Sequence, residues 1–325
     1  MMYTIPNIKF NKYIKKIIIS LIKVSAIAII LLKLSSSMVN AYPIYAQQAY
    51  QNPREATGRI VCANCHLAQK PIQLDMPKSI LPNSVFEAVV KIPYPDNTQQ
   101  ILANAKKGPL NVGAILILPE GFSLAPISRL SEEQKARAKI TPIQVYNNEH
   151  KNILVVGPLP GEKYKEISFP ILSPDPKSNK ETHFLKYPIY AGGNRGRGQL
   201  YPNGEKSNNS LYTSPVDGKI IQINKEENNS TKIVIETNDN NTVTEILPLG
   251  VELIVKEGQI VKMDQVLNKD LNVGGFGQIE SEFVLQDPAR IKGMILFFFS
   301  VTLTQTLLIL KKKQFEKVQA KQLNI

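Results

Sequence analysis

Residues 86–90 read Phe86-Glu87-Ala88-Val89-Val90, a short apolar run of the kind that forms a β-strand. Similar runs follow along the chain, and each is bounded by Pro, Gly or Asn. They are Gly113 to Leu118, Ile153 to Val156 and Glu166-Ile167-Ser168-Phe169. Short strands spaced in this way are typical of a β-sandwich. The predicted fold class is therefore mainly β, with a large β-sandwich domain.

Few helices are expected in this part of the chain. Ser131-Glu132-Glu133-Gln134 has the pattern of a capping box, which predicts a helix start. Asn52-Pro53-x-Glu55 predicts another start, with Asn52 as the N-cap and Pro53 at the first helical position. We expect this second helix to carry residues 62–66 and to end near Pro71.

Composition changes at residues 204–214, which are rich in Gly, Asn and Ser and indicate a linker. Beyond it, Val216 to Ile220, Ile233-Val234-Ile235 and Val255 to Leu267 predict a small inserted β domain. Its Gly turn resembles the barrel-sandwich of lipoyl and biotinyl carriers. Such a carrier needs its modified lysine in a tight turn flanked by Asp or Met, and Lys262-Met263 lacks the preceding partner. A structural domain is the preferred interpretation.

The N-terminus has the composition of a secretory-type signal. Its charged residues are Lys9, Lys12, Lys15 and Lys16. An apolar stretch from Ile17 to Leu34 follows, and Val39-Asn40-Ala41 supplies the small residues that a signal peptidase requires. Lys23 and Lys33 interrupt the apolar stretch and disfavour a retained anchor. We expect cleavage after Ala41, which removes residues 1–41 and leaves Tyr42 as the first residue.

A second apolar segment, Gly293 to Leu310, carries no charged residue. Helical residues rise about 1.5 Å each, so this segment covers roughly 27 Å, enough to span a hydrocarbon core with a few flanking residues. Lys311-Lys312-Lys313 follow at once and place the tail, residues 311–325, on the cytoplasm-like side. A buried core helix is the alternative. We predict one C-terminal transmembrane helix at residues 291–310 and an exported head.

The formal net charge of +12 is concentrated at the two ends of the chain. Residues 1–41 hold six lysines and no acidic residue, and residues 311–325 hold five lysines against Glu316. The remaining part is close to neutral, so targeting and topology account for the excess. Nothing in the composition indicates nucleic-acid binding.

Cys62-Ala63-Asn64-Cys65-His66 is the attachment pattern of c-type haem. Two thiols about one helical turn apart add to the two haem vinyl groups, and the adjacent imidazole ligates iron from the same side. These are the two cysteines of the chain, whereas a structural zinc site needs four Cys or His ligands. A redox dithiol would require a βαβ context. We therefore predict one covalently bound haem c, held by Cys62 and Cys65, with His66 as the proximal iron ligand.

The residues alone leave the sixth iron ligand open. The candidates are Met76, Met263, His150, His183 or no ligand at all. A c-type cytochrome commonly uses Met. A haem enzyme would need an open iron position with an acid or base above it, and a haem sensor would need a signalling domain.

Several segments together resemble the cytochrome f family, essentially from Tyr42 to Lys317. They are Tyr42-Pro43-Ile44-Tyr45-Ala46-Gln47-Gln48, Cys62-Ala63-Asn64-Cys65-His66, Gly192-Gly193-Asn194-Arg195-Gly196-Arg197-Gly198-Gln199, Asn272-Val273-Gly274-Gly275-Phe276-Gly277-Gln278 and Lys311-Lys312-Lys313-Gln314-Phe315-Glu316-Lys317. The resemblance implies a c-type subunit of the cytochrome b6-f complex, beside cytochrome b6 and the Rieske iron–sulfur protein. It further implies electron transfer from the Rieske protein to plastocyanin or a soluble c-type cytochrome in the thylakoid lumen, rather than enzyme activity of its own.

The same resemblance implies a domain organisation and a location. The large lumenal haem domain would comprise residues 42–210 and 271–290, and the small lumenal β domain residues 211–270. The heavy use of Ile, Asn and Lys indicates an AT-rich plastid genome. A chloroplast thylakoid membrane is thus preferred to a cyanobacterial one.

Further site residues follow from the resemblance alone. The distal iron ligand would be the free α-amino group of Tyr42, an amine with a pKa near 8 in solution. A chain of buried waters would be held by Gln100, Asn194, Gln199, Asn209 and Asn272, since amides both donate and accept hydrogen bonds without charge. Lys106 and Lys107 would form part of a basic patch that steers an acidic partner. Gln99 stands where plant members carry lysine, so steering should be weaker here.

Overall fold

Two β-sheets face each other around the main hydrophobic core in the computed structural model, which describes residues 43–226 and 229–323. Strands are numbered in chain order. The first sheet has the order β1 (Gln73–Asp75), β3 (Val85–Lys91), β10 (Glu166–Leu172) and β7 (Ser123–Leu124). The second has the order β2 (Ser79–Ile80), β16 (Gly275–Leu285), β11 (Lys186–Arg195), β6 (Asn111–Ile117), β9 (Ile153–Pro160) and β8 (Gln144–Val145).

The core between the two sheets follows from the alternation of side chains along each strand. In β3, Phe86, Ala88 and Val90 are buried while the residues between them are half-buried. They pack in one cluster with Phe169 of the first sheet and with Leu116, Leu154, Ile189 and Phe283 of the second. Because successive strand residues point to opposite faces, each strand contributes every second side chain to this core. The prediction of a mainly β fold with a sandwich is confirmed.

The central strands of the six-stranded sheet are apolar on both faces. Leu116 and Leu154 face the sandwich core, whereas Ile115 and Val155 point away from it and are still buried. The side chains on that second face form an outer cluster, which consists of Ile60, Ile115, Ile117, Tyr146, Ile153, Val155 and Phe276. A continuous apolar run is what a strand buried on both faces requires. The N-terminal segment around Ile60 is the layer that covers the second face.

A smaller sheet has its own core. Its order is β14 (Thr242–Leu247), β13 (Thr231–Glu236), β12 (Gly218–Lys225) and β15 (Ile260–Val261). The buried side chains are Tyr212, Ile220, Ile233, Ile235, Leu247, Val255, Val261 and Leu267. A separate two-stranded hairpin, β4 (Gln99–Ile101) and β5 (Lys107–Pro109), completes the strand inventory of the described residues.

Residues 204–214 are not a free linker, in contrast to the interpretation from composition. Ser207, Asn208 and Ser210 are buried. Asn208 Oδ1 accepts a hydrogen bond from Arg197 Nη1 at 2.7 Å, and its Nδ2 donates to the carbonyl oxygens of Leu102 and Leu249 at 3.0 and 3.1 Å. The small polar residues therefore fasten the small sheet to the β4–β5 hairpin through hydrogen bonds.

The α-helices of the described residues are α1 (Ile44–Ala49), α2 (Glu132–Ile140) and α3 (Pro288–Gln322). The predicted capping box at the start of α2 is confirmed. Ser131 Oγ accepts from Gln134 N, and Gln134 Oε1 accepts from Ser131 N. These reciprocal bonds satisfy backbone donors that a helix start otherwise leaves unpaired.

The helix predicted from Asn52-Pro53 to near Pro71 is wrong. Asn52 Oδ1 accepts from Arg54 N at 3.0 Å, which closes a turn in place of a helix cap. The chain then reverses between Glu55 and Arg59 with Gly58 at φ +87°, a left-handed conformation that suits glycine. Over residues 52–71 the helical structure is limited to a 3₁₀ helix at Val61–Asn64.

Helix α3 is long and apolar enough to cross a membrane, and it is the single helix of that kind among the described residues. Its start is capped by Asp287, whose Oδ1 accepts from Ala289 N at 2.9 Å, with Pro288 in the first turn. It continues without a break past Leu310 to Gln322. Its 35 residues make a rod about 52 Å long at 1.5 Å per residue.

Two isoleucines test how far the sandwich core determines stability. Ile171 of β10 is fully buried, whereas Ile127 is 70% exposed. Ile171→Ala should lower the free energy of unfolding by about 2–5 kcal/mol, because it leaves a cavity in the core. Ile127→Ala should change it by less than about 0.5 kcal/mol. Denaturant unfolding of the full-length protein in detergent measures both, and equal effects would contradict the assignment of the core.

Candidate haem site

The residues Cys62, Cys65 and His66 share one tight backbone turn. The N–H groups of Cys65 and His66 both donate to the carbonyl oxygen of Cys62, at 3.3 and 3.0 Å. Neither cysteine is in a disulfide. The turn itself places two free thiols and an imidazole within four consecutive backbone steps, which is the spacing that attachment of one planar group by two thioethers requires.

Burial keeps all three side chains neutral. It raises the pKa of the Cys62 thiol to about 12, raises the pKa of the Cys65 thiol, and lowers the pKa of the His66 imidazole to about 4. A neutral imidazole is the form that binds a metal. Its Nδ1 is buried without a hydrogen-bond partner, a costly arrangement unless something else satisfies the ring.

These side chains fit a haem c and do not fit a metal ion held by protein alone. Within residues 43–226 and 229–323 no group of three or more His, Cys, Asp or Glu side chains is arranged to hold a metal ion. One histidine and two thiols in a half-buried turn are instead suited to a prosthetic group whose metal already has most of its ligands from the group itself.

The start of the turn is held by a residue more than 200 positions away in the sequence. Gln278 of β16 accepts a hydrogen bond from Ile60 N at 3.0 Å and donates to Gly58 O at 3.0 Å. The side chain of Ile60 is buried in the outer cluster. Sequence reasoning missed Gln278, because nothing local marks a residue so distant along the chain.

The end of the turn is held by residues 198–200. The N–H groups of Gln199 and Leu200 both donate to Cys65 O, at 2.8 and 3.1 Å, and Gln199 Oε1 accepts from Leu67 N at 2.9 Å. A Cβ at Gly198 would lie 3.2 Å from Cys65 O, so a glycine permits this close approach. Gln199, which the resemblance assigns to a water chain, here clamps the residue after His66.

Two of the other amides lie close to the same segment. Gln100 is 2% exposed; its Oε1 accepts from Arg197 N at 2.7 Å and its Nε2 donates to Pro109 O at 2.9 Å. Asn209 Nδ2 donates to Ile101 O at 3.0 Å, while its Oδ1 is buried without a partner. Asn209 also lines a cavity of about 10 Å³, close to the smallest volume that holds one water.

The remaining two amides differ from these in position. Asn194 is half-buried, and its Oδ1 occupies the space where a Cβ at Gly113 would lie. Asn272 is exposed, and both its backbone and its side-chain oxygen accept hydrogen bonds from Lys70 Nζ. The structure thus brings Gln100, Gln199 and Asn209 together around residues 197–209, whereas Asn272 is paired with Lys70.

The two lysines of the expected basic patch are both exposed at the β4–β5 hairpin. Lys107 begins β5 and is the register partner of Ile101. Neither lysine forms an ion pair with any described residue, so both charges remain available to a partner. The same hairpin carries Gln100, and hence the basic patch and one of the buried amides share one element.

The alternative iron ligands have other surroundings, and Tyr42 lies outside the described residues. Met76 packs against the sandwich core, and Met263 is 62% exposed beyond the small sheet. His150 is half-buried, and its backbone N–H donates to Asn147 Oδ1; His183 is exposed, and its backbone contacts Tyr187. The described chain begins at Pro43, which is followed by α1.

Two models of one protein family together match nearly the whole chain from residue 42 onwards. The family model of apocytochrome F, N-terminal, matches residues 42–196, and that of apocytochrome F, C-terminal, matches residues 208–325. A cohesin module from a Clostridium perfringens ATCC13124 family 33 glycoside hydrolase covers 55% of this chain and 94% of its own at 10% identity, but its TM-score of 0.20 supports no conclusion about the fold.

Curated relatives named cytochrome f are similar from end to end. The protein of Marchantia polymorpha is 58% identical over 319 residues, which cover 98% of this chain and 99% of its own. That of Chlorokybus atmophyticus is 62% identical over 288 residues, 89% of this chain and 90% of its own. That of Porphyra purpurea is 60% identical over 285 residues, 88% of this chain and 89% of its own. With both family models matched in order and such identities over most of its length, the chain belongs to the cytochrome f family.

Proposed function

We propose that the protein is the membrane-anchored c-type cytochrome that transfers electrons from the Rieske protein to plastocyanin or a soluble c-type cytochrome within the cytochrome b6-f complex. The observation that supports this most is the tight turn with two free thiols and a neutral imidazole whose Nδ1 has no hydrogen-bond partner, in a chain of the cytochrome f family. The proposed role is that of an electron-transfer subunit, not of an enzyme in its own right.

In this proposal the chain holds one haem through four groups. Cys62 and Cys65 would form the thioethers, and His66 and the α-amino group of Tyr42 would ligate iron. When bound, the haem supplies a centre that accepts and releases one electron. The residues of the chain would hold it in place, and the two iron ligands would keep other molecules from the iron.

The proposed topology follows the division of the sheets. The large lumenal domain comprises residues 42–210 and 271–290, and the small lumenal domain comprises residues 211–270. Residues 291–310 cross the thylakoid membrane of a chloroplast, and residues 311–325 lie on the opposite side. Helix α3 carries no charged residue from Gly293 to Leu310, and three lysines follow that stretch, in agreement with the positive-inside rule.

Haem attachment can be tested with matched variants. Cys62→Ser should leave at most one thioether, and His66→Ala should abolish the native low-spin spectrum because the proximal ligand is gone. His183→Ala, at an exposed histidine, should leave the spectrum unchanged. Absorption spectra and haem staining after denaturing electrophoresis measure these effects. Retention of a native spectrum by the His66 variant would show that the attachment site is misassigned.

The distal ligand can be tested by preventing cleavage after Ala41, for example with Ala41→Leu, verified by N-terminal sequencing. The nitrogen of Tyr42 would then stay in a peptide bond, whose lone pair is delocalised and cannot ligate iron. Haem attachment through the two thiols should persist while the low-spin spectrum changes. Met76→Leu in the processed protein serves as the control and should keep the spectrum. The opposite pattern would identify Met76 as the ligand.

Docking can be tested with charge reversals on two pairs of exposed lysines. Lys106→Glu with Lys107→Glu should slow electron transfer to an acidic partner on the order of tenfold at low salt. The effect should shrink at 0.15 M salt, where the Debye length is about 8 Å. Lys177→Glu with Lys180→Glu is the matched control on another loop. Stopped-flow kinetics against ionic strength measures both; equal rates at low salt would indicate docking through apolar contacts.

A further inference from the structure

Helix α1 has little in its own sequence to hold it in place. It is six residues long, has no side-chain N-cap and buries none of its side chains. Ile44 and Tyr45 are not covered by other described residues. Isolated helices shorter than about 12–15 residues are marginal in water. The contacts that connect α1 to the rest of the described chain are mainly polar.

Those contacts centre on one tyrosine. The hydroxyl of Tyr146 donates its single proton to two carbonyl oxygens of the N-terminal segment, Ala46 O at 2.6 Å and Tyr50 O at 2.7 Å. In return, Gln47 Nε2 donates to Tyr146 O at 2.7 Å. One residue thus contacts both the middle of α1 and the residue that follows it.

Tyr146 is itself fixed next to the turn that contains Cys62, Cys65 and His66, called the haem-binding turn below. It is 2% exposed, its backbone N–H donates to Ile153 O at 2.8 Å, and its ring belongs to the outer cluster. Cys62 and Ala63 pack against that same cluster. The tyrosine therefore connects α1 to the surface on which the two thiols lie.

Weaker contacts hold the end of the segment. Asn147 Nδ2 donates to Gln51 O at 2.9 Å, and Asn64 Nδ2 donates to Tyr50 Oη at 3.1 Å. Asn64 lies between the two cysteines. These bonds are exposed, whereas the two bonds of the Tyr146 hydroxyl are part-buried, and a more buried bond is the more costly to break.

We propose that Tyr146 is a positioning residue for the amine that would ligate iron: by fixing α1 against the outer cluster, it holds the chain start close to the haem-binding turn. The inference rests on the proposed function, in which the amine of Tyr42 ligates iron. Pro43 is the N-cap of α1 and is joined directly to residue 42. Consecutive Cα atoms are about 3.8 Å apart, so a fixed α1 confines the amine to a small volume.

The test is the rate at which cyanide displaces the sixth ligand from ferric haem in the full-length, processed holoprotein. Tyr146→Phe removes one hydroxyl and keeps the ring in the cluster. Displacement should become about tenfold faster, because the free energy lost with one hydrogen bond corresponds to roughly a factor of ten in a rate or equilibrium constant. Gln47→Ala should change the rate in the same direction, and it serves if Tyr146→Phe fails to fold.

Tyr212→Phe is the matched control. Its hydroxyl is also buried and also donates to two carbonyl oxygens, Lys206 O and Ser207 O, but it lies in the small-sheet core. It should lower stability without changing the displacement rate. Faster displacement in Tyr146→Phe alone supports the proposal, while equal rates in wild type and Tyr146→Phe, or equal acceleration by Tyr212→Phe, would overturn it.

Failure of the proposed function would have a different signature. It would be seen either as a high-spin spectrum of the wild-type protein or as loss of the sixth ligand in the Met76→Leu variant, with Tyr146 unchanged in both. Failure of the positioning role would be seen with a normal wild-type spectrum and an unaffected Tyr146→Phe. The two outcomes therefore separate the identity of the ligand from the residue that positions it.

Discussion

The six-stranded sheet buries apolar side chains on both faces, and the rest of the molecule is arranged around that constraint. One face closes the sandwich core with the four-stranded sheet. The other would expose Ile115, Ile117, Ile153 and Val155 to water if the N-terminal segment did not cover it. Each such side chain stabilises the fold by about 1.5–3 kcal/mol when buried. The haem-binding turn is thus attached to the sheet by the same burial that the sheet itself requires.

Hydrogen bonds from distant segments then set the geometry of the turn. Gln278 holds its start, and residues 198–200 hold its end. Apolar burial is not directional and would permit the turn to slide on the sheet, whereas hydrogen bonds have preferred distances and angles. The outer cluster thus stabilises the packing of the turn on the sheet, and the polar contacts fix the position of the two thiols and the imidazole along it.

Features encoded locally were predictable from the sequence. The strand runs, the capping box at Ser131 and the apolar C-terminal helix each depend on residues within a few positions of one another. The helix predicted from Asn52 failed because the same Asn-Pro pattern suits a turn, and the packing of Ile60 decides between them. Residues 204–214 were interpreted as a linker because Gly, Asn and Ser are common both in flexible linkers and in ordered loops that form many hydrogen bonds. Gln278 and Tyr146 carry no local signal at all.

The contact between Ile60 and Gln278 spans 218 positions, and this separation dictates an order of events during synthesis. At about 5–20 residues per second, the strand that supports the haem-binding turn is completed roughly 10 to 40 s after the turn itself has been made. Over that interval both thiols sit on a chain that has not yet acquired its supporting sheet. If haem is attached as proposed, an apparatus that acts early would meet an accessible pentapeptide, and pairing of the last strand would then fix the modified segment in the finished domain.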